Sequence, residues 1–142
     1  MALLALLGVF VASYLALHNL GYIGTLACTA GNPCETVQAS HYARFLGVYV
    51  AIWGVAYYVA VFAITLAGVF ETFADSRWLA GAVALLTGWG LAFSGYLTYR
   101  ELFTIHAICW WCVGSAVIAV SLFALAAIDW AAVRGDGLRP RV

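Results

Sequence analysis

The chain predicts an all-α integral membrane protein: a bundle of four transmembrane helices, with a short interfacial helix after the first of two cysteine pairs. Two observations carry this. Of 142 residues, 66% are hydrophobic and only 8% are charged, with a mean hydropathy of +1.02. A soluble domain carries about 25% charged residues, so this much apolar surface cannot be hidden inside a water-soluble globule. The apolar residues also fall into four stretches close to the roughly 20 residues that a bilayer-spanning helix needs. The whole chain, 1–142, reads as a single membrane domain, without internal repeats or low-complexity segments. Its net charge is zero, so a nucleic-acid partner is not expected.

The first stretch runs from Ala2 to about Leu20. The opening Met1-Ala2-Leu3-Leu4 has no positive n-region, so it is expected to be a retained helix, not a cleaved signal. The second stretch spans about 45–70, the third about 78–99 and the fourth about 107–128, stopping at Asp129. On the third, Gly81, Gly88 and Gly95 recur every seven residues beside Ala84 and Ala92. Stripes of small residues let helix backbones approach closely in lipid. On the fourth, Cys109, Cys112, Ala116, Ala119 and Phe123 share a face expected to point into the bundle. The tail from Arg134 to Val142, with two glycines and a proline, reads as a short disordered end.

Four spans place both termini on one side and the segments at 21–44 and 100–106 together on the other. Arg77, Arg134, Arg139 and Arg141 lie on the side of the termini, against Arg44 and Arg100 on the cysteine side. The excess favours cytoplasmic termini. The cysteines then face an extracytoplasmic compartment, where disulfides persist.

All four cysteines belong to pairs. Cys109 and Cys112 enclose two tryptophans at the head of the fourth span. Side chains three apart on a helix lie about 5–6 Å apart at Cβ, near disulfide range after local distortion. A helix N-terminus stabilises a thiolate, the species that attacks disulfides and reduces electron acceptors. Redox chemistry is the favoured reading, ahead of buried structural thiols or a metal site, which would need all four sulfurs to converge. Cys28 and Cys34 flank a turn-forming run, Gly31-Asn32-Pro33. Such a loop fits a static disulfide bridge or a mobile thiol carrier, and a second pair on the same face favours the carrier.

From Glu35 to Arg44, apolar and polar residues alternate as in a short helix at the membrane surface, placed to lid a cavity in the bundle. Ser40 either bonds a ligand or caps a turn. Tyr42, Phe45, Tyr49, Trp53, Trp110 and Trp111 crowd the cysteine face. Aromatic belts are ordinary at interfaces, but together these rings suit a flat, lipid-soluble acceptor such as a quinone. His18, His41 and His106 read as solvated interface residues.

At this point the chain resembles the vitamin K epoxide reductase family. The resemblance rests on Cys-x5-Cys at Cys28 and Cys34, on Ser40 six residues later, and on Tyr42-Ala43-x-Phe45-x-Gly47. It extends to Gly54 and to the C-x-x-C that heads the fourth span. The other four-helix disulfide-generating family carries its pairs in the reverse order. The resemblance implies a four-helix bundle around a quinone pocket. Cys109 and Cys112 would be the redox centre, with Cys112 nearest the quinone. Cys28 and Cys34 would shuttle electrons, Cys28 meeting a protein substrate and Cys34 exchanging with Cys109. Quinone contacts are expected from Ser40, Tyr42, Phe45, Val50, Trp53 and Ala116. Val50 stands near a hydrogen-bonding Asn of the animal enzymes, and Ala116 where they have Tyr.

The reaction so implied moves two electrons from a thioredoxin-fold dithiol to a quinone of menaquinone, ubiquinone or phylloquinone type, with no metal. No thioredoxin-like domain is fused, so a separate extracytoplasmic thioredoxin-fold partner is expected, in a prokaryotic inner membrane. A non-catalytic scaffold or transporter with structural disulfides is the alternative. Transport would be favoured by charge inside a span, and no Asp, Glu or Arg lies at the centre of any of the four.

Overall fold

A computed structural model describes residues 1–28, 33–68 and 77–136. Among the described residues, four helices are long and apolar enough to cross a membrane: α1 (Ala2–Asn19), α3 (Val50–Ala67), α4 (Arg77–Arg100) and α5 (Trp110–Asp136). A seven-residue helix, α2 (Pro33–Ala39), starts one residue before Cys34, with Pro33 opening it, where the ring's fixed φ is already helical. A 3₁₀ turn (His41–Ala43) follows, and then a hairpin of β1 (Arg44–Phe45) and β2 (Val48–Tyr49).

The hairpin corrects the start of the second span, since 45–49 is extended instead of helical. Leu46 and Gly47 both have positive φ, 54° and 81°. That is the two-residue turn whose twist suits antiparallel strands. The Leu46-Gly47 pair was its only local signal. Two helices also run past their expected ends. α4 continues as a π-helical turn (Glu101–Ile105) where a loop was expected, and His106 closes it in the left-handed region. α5 extends through Arg134 and Gly135 to Asp136, so the expected disordered tail begins as helix. Its remainder, 137–142, and the expected end of the second span at Phe70 lie outside the described residues.

Packing pairs fix the topology. Gly8 abuts Tyr58 and Gly54 meets Ala12, so α1 and α3 run antiparallel. Gly68 lies by Leu79 and Phe45 by Phe93, so α3 and α4 do the same. Gly81 faces Trp130 and Gly88 faces Phe123 at 3.3 Å, which sets α5 antiparallel to α4. The bundle is therefore up-down-up-down. Its core joins Ala5 and Ala12 of α1, Tyr58 and Val61 of α3, and Ile118 and Leu122 of α5. The small-residue stripe on α4 thus works at Gly81 and Gly88, while Gly95 has nothing within 4 Å of where a Cβ would stand. The tightest approaches are elsewhere. A Cβ on Gly8 would enter the Tyr58 ring, and one on Gly90 would enter the Tyr57 ring.

Candidate functional site

The antiparallel order brings both cysteine pairs to one end of the bundle. Cys28 and Cys34 form a disulfide, while Cys109 and Cys112 are free thiols. Cys34 and Cys109 are each fully buried and pack in one apolar cluster with Leu15, Leu26 and Val37, against which Cys28 and Cys112 also rest. Cys28 is only partly buried. The backbone beside it is clamped: Ala27 N–H donates to the Tyr14 hydroxyl at 3.1 Å, and Ala27 C=O accepts Trp111 Nε1–H at 2.9 Å. The Tyr14 and Trp111 rings meet at 4.8 Å between centroids. The segment carrying Cys28 is thus tied to the helix carrying Cys112.

Cys109 stands immediately before α5 and caps it. Its carbonyl accepts Val113 N–H at 2.9 Å and its sulfur accepts Cys112 N–H at 3.4 Å. A side-chain acceptor on the third helical N–H is the arrangement of an N-cap. The Cys112 thiol, with the N–H groups of Cys112 and Trp111, holds the Cys109 pKa below that of an ordinary thiol, against the opposing effect of burial. The helix N-terminus therefore stabilises Cys109 as thiolate. The Cys112 sulfur instead accepts the Gln38 side-chain amide of α2 at 3.5 Å.

Beside Cys112 opens a cavity of about 340 Å³, within the usual range for small-molecule sites. It lies between α3 and α4 under the lid formed by α2, the 3₁₀ turn and the hairpin. Its walls are mostly apolar and aromatic, with Trp89, Gly90, Phe93 and Leu97 from α4. Polar groups are few. Tyr58 is tied down, its hydroxyl donating to Ser115 C=O at 2.8 Å with Ser115 Oγ at the same distance. Tyr57 also lines the cavity, and its buried hydroxyl has no hydrogen-bond partner among the described residues. A buried O–H without an acceptor is costly, and a carbonyl-bearing ring in this cavity would supply one. The residues present therefore fit a quinone.

Residues 1–127 of the 142 match the vitamin K epoxide reductase family. The chain belongs to that family. Membership makes it a membrane oxidoreductase of disulfide chemistry, with a quinone-type molecule as substrate or cofactor.

In this vitamin K epoxide reductase family member, Ser40, Tyr42, Phe45, Val50, Trp53 and Cys112 all line the one cavity. Ala116 does not. It sits in a separate shallow groove with Thr98, Val113, Val117 and Val120. At about 100° per residue, Ser115 lies about 60° to one side of Cys112 and Ala116 about 40° to the other, and the cavity opens on the Ser115 side. Ser40 reaches the cavity, but its hydroxyl donates to Val37 C=O at 2.6 Å. That proton is committed to ending α2, so Ser40 can offer a ligand only its lone pairs.

Several polar residues of the site escaped the sequence reading. Gln38, Tyr57, Ser115, Arg100 and Glu101 line the cavity. Glu101 carried one signal, as a lone acid eight residues before Cys109, in the connecting segment expected at 100–106. Continuation of α4 as a π turn buries it, leaving it 5% exposed. Among the described residues, no group of three or more His, Cys, Asp or Glu is arranged to hold a metal.

Proposed function

We propose that this protein oxidises a thioredoxin-fold dithiol on the extracytoplasmic side of a prokaryotic inner membrane and passes the electrons to a membrane quinone. The observation that carries the reading is the shared cluster of Cys34 and Cys109, with Cys112 on the wall of an apolar cavity. The order is substrate dithiol, Cys28–Cys34, Cys109–Cys112, quinone. The partly buried Cys28 is the sulfur a protein thiolate can reach, which leaves Cys34 as leaving group and then as attacker of the inner pair. Each sulfur-to-sulfur step is thiolate attack on a disulfide through a mixed disulfide. In the last step two thiol S–H bonds break, the Cys109–Cys112 bond forms, and two electrons and two protons reach the ring as quinol.

Within this scheme the lid has a plain role. Tyr42, Phe45 and Trp53 enclose a flat ring, and Trp53 Nε1–H donates to Phe45 C=O at 3.3 Å, holding the hairpin to α3. Both termini are cytoplasmic in this reading, following the Arg distribution.

Thiol trapping tests the proposal. The purified full chain, reduced with dithiothreitol and given a short-chain ubiquinone, should convert Cys109 and Cys112 from alkylatable to protected while quinol forms. Cys112→Ala should abolish quinol formation and leave the Cys28–Cys34 pair reducible. Quinol formation at an undiminished rate in Cys112→Ala would falsify the assigned electron donor.

A further inference from the structure

Among the described residues, Glu101 is the buried acid. Its backbone carbonyl accepts Ala107 N–H at 3.2 Å and also the N–H of His106, fixing the turn that carries it. Its carboxylate Oε2 accepts Cys109 N–H at 3.2 Å, and the carboxylate also interacts with the Cys112 thiol. It lines the same cavity as Cys112. Neighbouring Arg100 does not neutralise it. The Arg100 guanidinium lies over the Tyr42 ring at 4.9 Å and the Tyr96 ring at 5.1 Å. Besides burial, what acts on Glu101 is the backbone N–H of Cys109 and the thiol of Cys112. From the other elements around it come Gln38 of α2, which is neutral, and Tyr42 beneath Arg100; His106, which follows the turn, is exposed. A buried carboxylate without a cation is expensive to keep in a membrane protein and is a mark of function.

The chemistry of the last step lacks exactly one thing without it. The helix N-terminus serves the Cys109 sulfur, yet Cys112 is the thiol on the cavity wall. A group must take the Cys112 proton as its sulfur becomes a nucleophile, and a proton must reach each quinone oxygen. The cavity is lined mainly by apolar groups, and Ser40 has no proton to give.

We propose that Glu101 is the proton-transfer residue of the quinone step, accepting the Cys112 thiol proton and delivering it to a quinone oxygen. The inference rests on the electron path proposed above. The balance closes without another reactant. Counted from the reduced dithiol, one quinol proton is that of Cys112, carried by Glu101, and the other is the one Cys109 releases as its thiolate forms; both electrons come from the two sulfurs as their bond forms, and the carboxylate returns unchanged. Its hydrogen bond to Cys109 N–H at the same time holds the start of α5 so that the two sulfurs stay paired.

Glu101→Gln separates these roles, because the amide oxygen still accepts Cys109 N–H but cannot carry the proton. The full chain is assayed with dithiothreitol and a short-chain ubiquinone between pH 6 and 9, beside wild type. Positioned acid–base groups contribute about 10²–10⁴-fold. Quinol formation at pH 7 should therefore fall by at least about 100-fold and recover as pH rises, when hydroxide can take the thiol proton. Reduction of Cys28–Cys34 and of a Cys109–Cys112 disulfide should proceed as in wild type. Glu101→Asp should restore part of the rate and the wild-type pH profile. A Gln variant with the wild-type rate and profile overturns the proposal. So does a Gln variant that loses thiol exchange to the same extent, since the role is then structural. If wild type itself forms no quinol, the electron path fails, and the role of Glu101 fails with it.

Discussion

Gln38 Nε2 lies 3.5 Å from Cys112 Sγ, and the Gln38 side-chain oxygen accepts the Asn19 amide at 2.8 Å. One side chain of the lid helix therefore links the end of α1 to the sulfur on the cavity wall. Gln38→Leu keeps the size and removes both bonds. With about 1 kcal/mol for a net hydrogen bond, quinone-dependent dithiol oxidation should fall about fivefold, with exchange between the cysteine pairs retained. Steady-state quinol formation and thiol trapping on the same preparation check the two halves of that statement.

The outer cysteine pair has its own test. In Cys28→Ala, Cys34 loses its resolving partner, so a Cys34–Cys109 bridge should accumulate. Peptide mapping without reduction identifies it. Cys34 found only on external thiols would mean that the order of transfer is wrong.

Hydrogen bonding at the ring distinguishes Tyr57 from Ser40. Tyr57→Phe removes a buried hydroxyl that has no partner among the described residues, so thermal stability should hold or rise. The KM for a short-chain quinone should increase about fivefold to tenfold, by loss of a donor to the carbonyl. Ser40→Ala should change KM less, because its proton is already given to Val37 C=O. A larger KM effect from Ser40→Ala than from Tyr57→Phe would reverse these assignments.

Helix approach is tested by a pair of glycines. Gly8→Ala drives a methyl into the Tyr58 ring, and overpacking of this kind costs about 1–3 kcal/mol, so the melting temperature in detergent should drop clearly. Gly95→Ala meets open space and should leave the melting temperature unchanged or slightly higher, since Ala favours helix. Equal effects at both positions would show that the α1–α3 contact is looser than described.

Membrane orientation is checked on intact cells. After reduction, an impermeant thiol reagent should label cysteines from outside only, with Cys28 first because Cys34 and Cys109 are fully buried. Labelling confined to the cytoplasmic face would invert the assigned topology.

Much of the architecture was readable from residue order, because the bilayer demands it. Apolar stretches of span length, and an even number of them between and around the cysteine pairs, are enough to place Cys28, Cys34 and Cys109 at one end of a four-helix bundle. The spacing of the cysteines, together with Ser40, Tyr42 and Gly54, was enough to point to the family. Hydropathy alone was poor at the membrane boundary. It read 45–49 as helix and 100–106 as loop, since an apolar run does not distinguish a hairpin from a helix start, and a charged pair does not reveal that a helix continues through it.

The side chains that line the cavity were decided by tertiary structure. Ala116 shares a coarse stripe with Cys112, yet the cavity lies on the Ser115 side of Cys112 and not on the Ala116 side. Ser40 carries the right hydroxyl, but the end of α2 consumes its proton. Glu101 looks like a solvated charge until a π turn carries it under Cys109 and Cys112. Sequence determined which groups exist and at which end of the bundle they gather, because burial in lipid acts on whole segments. Which proton is free, which sulfur caps a helix and which faces the cavity depend on contacts of about 3 Å between distant segments, and only the folded chain brings those together.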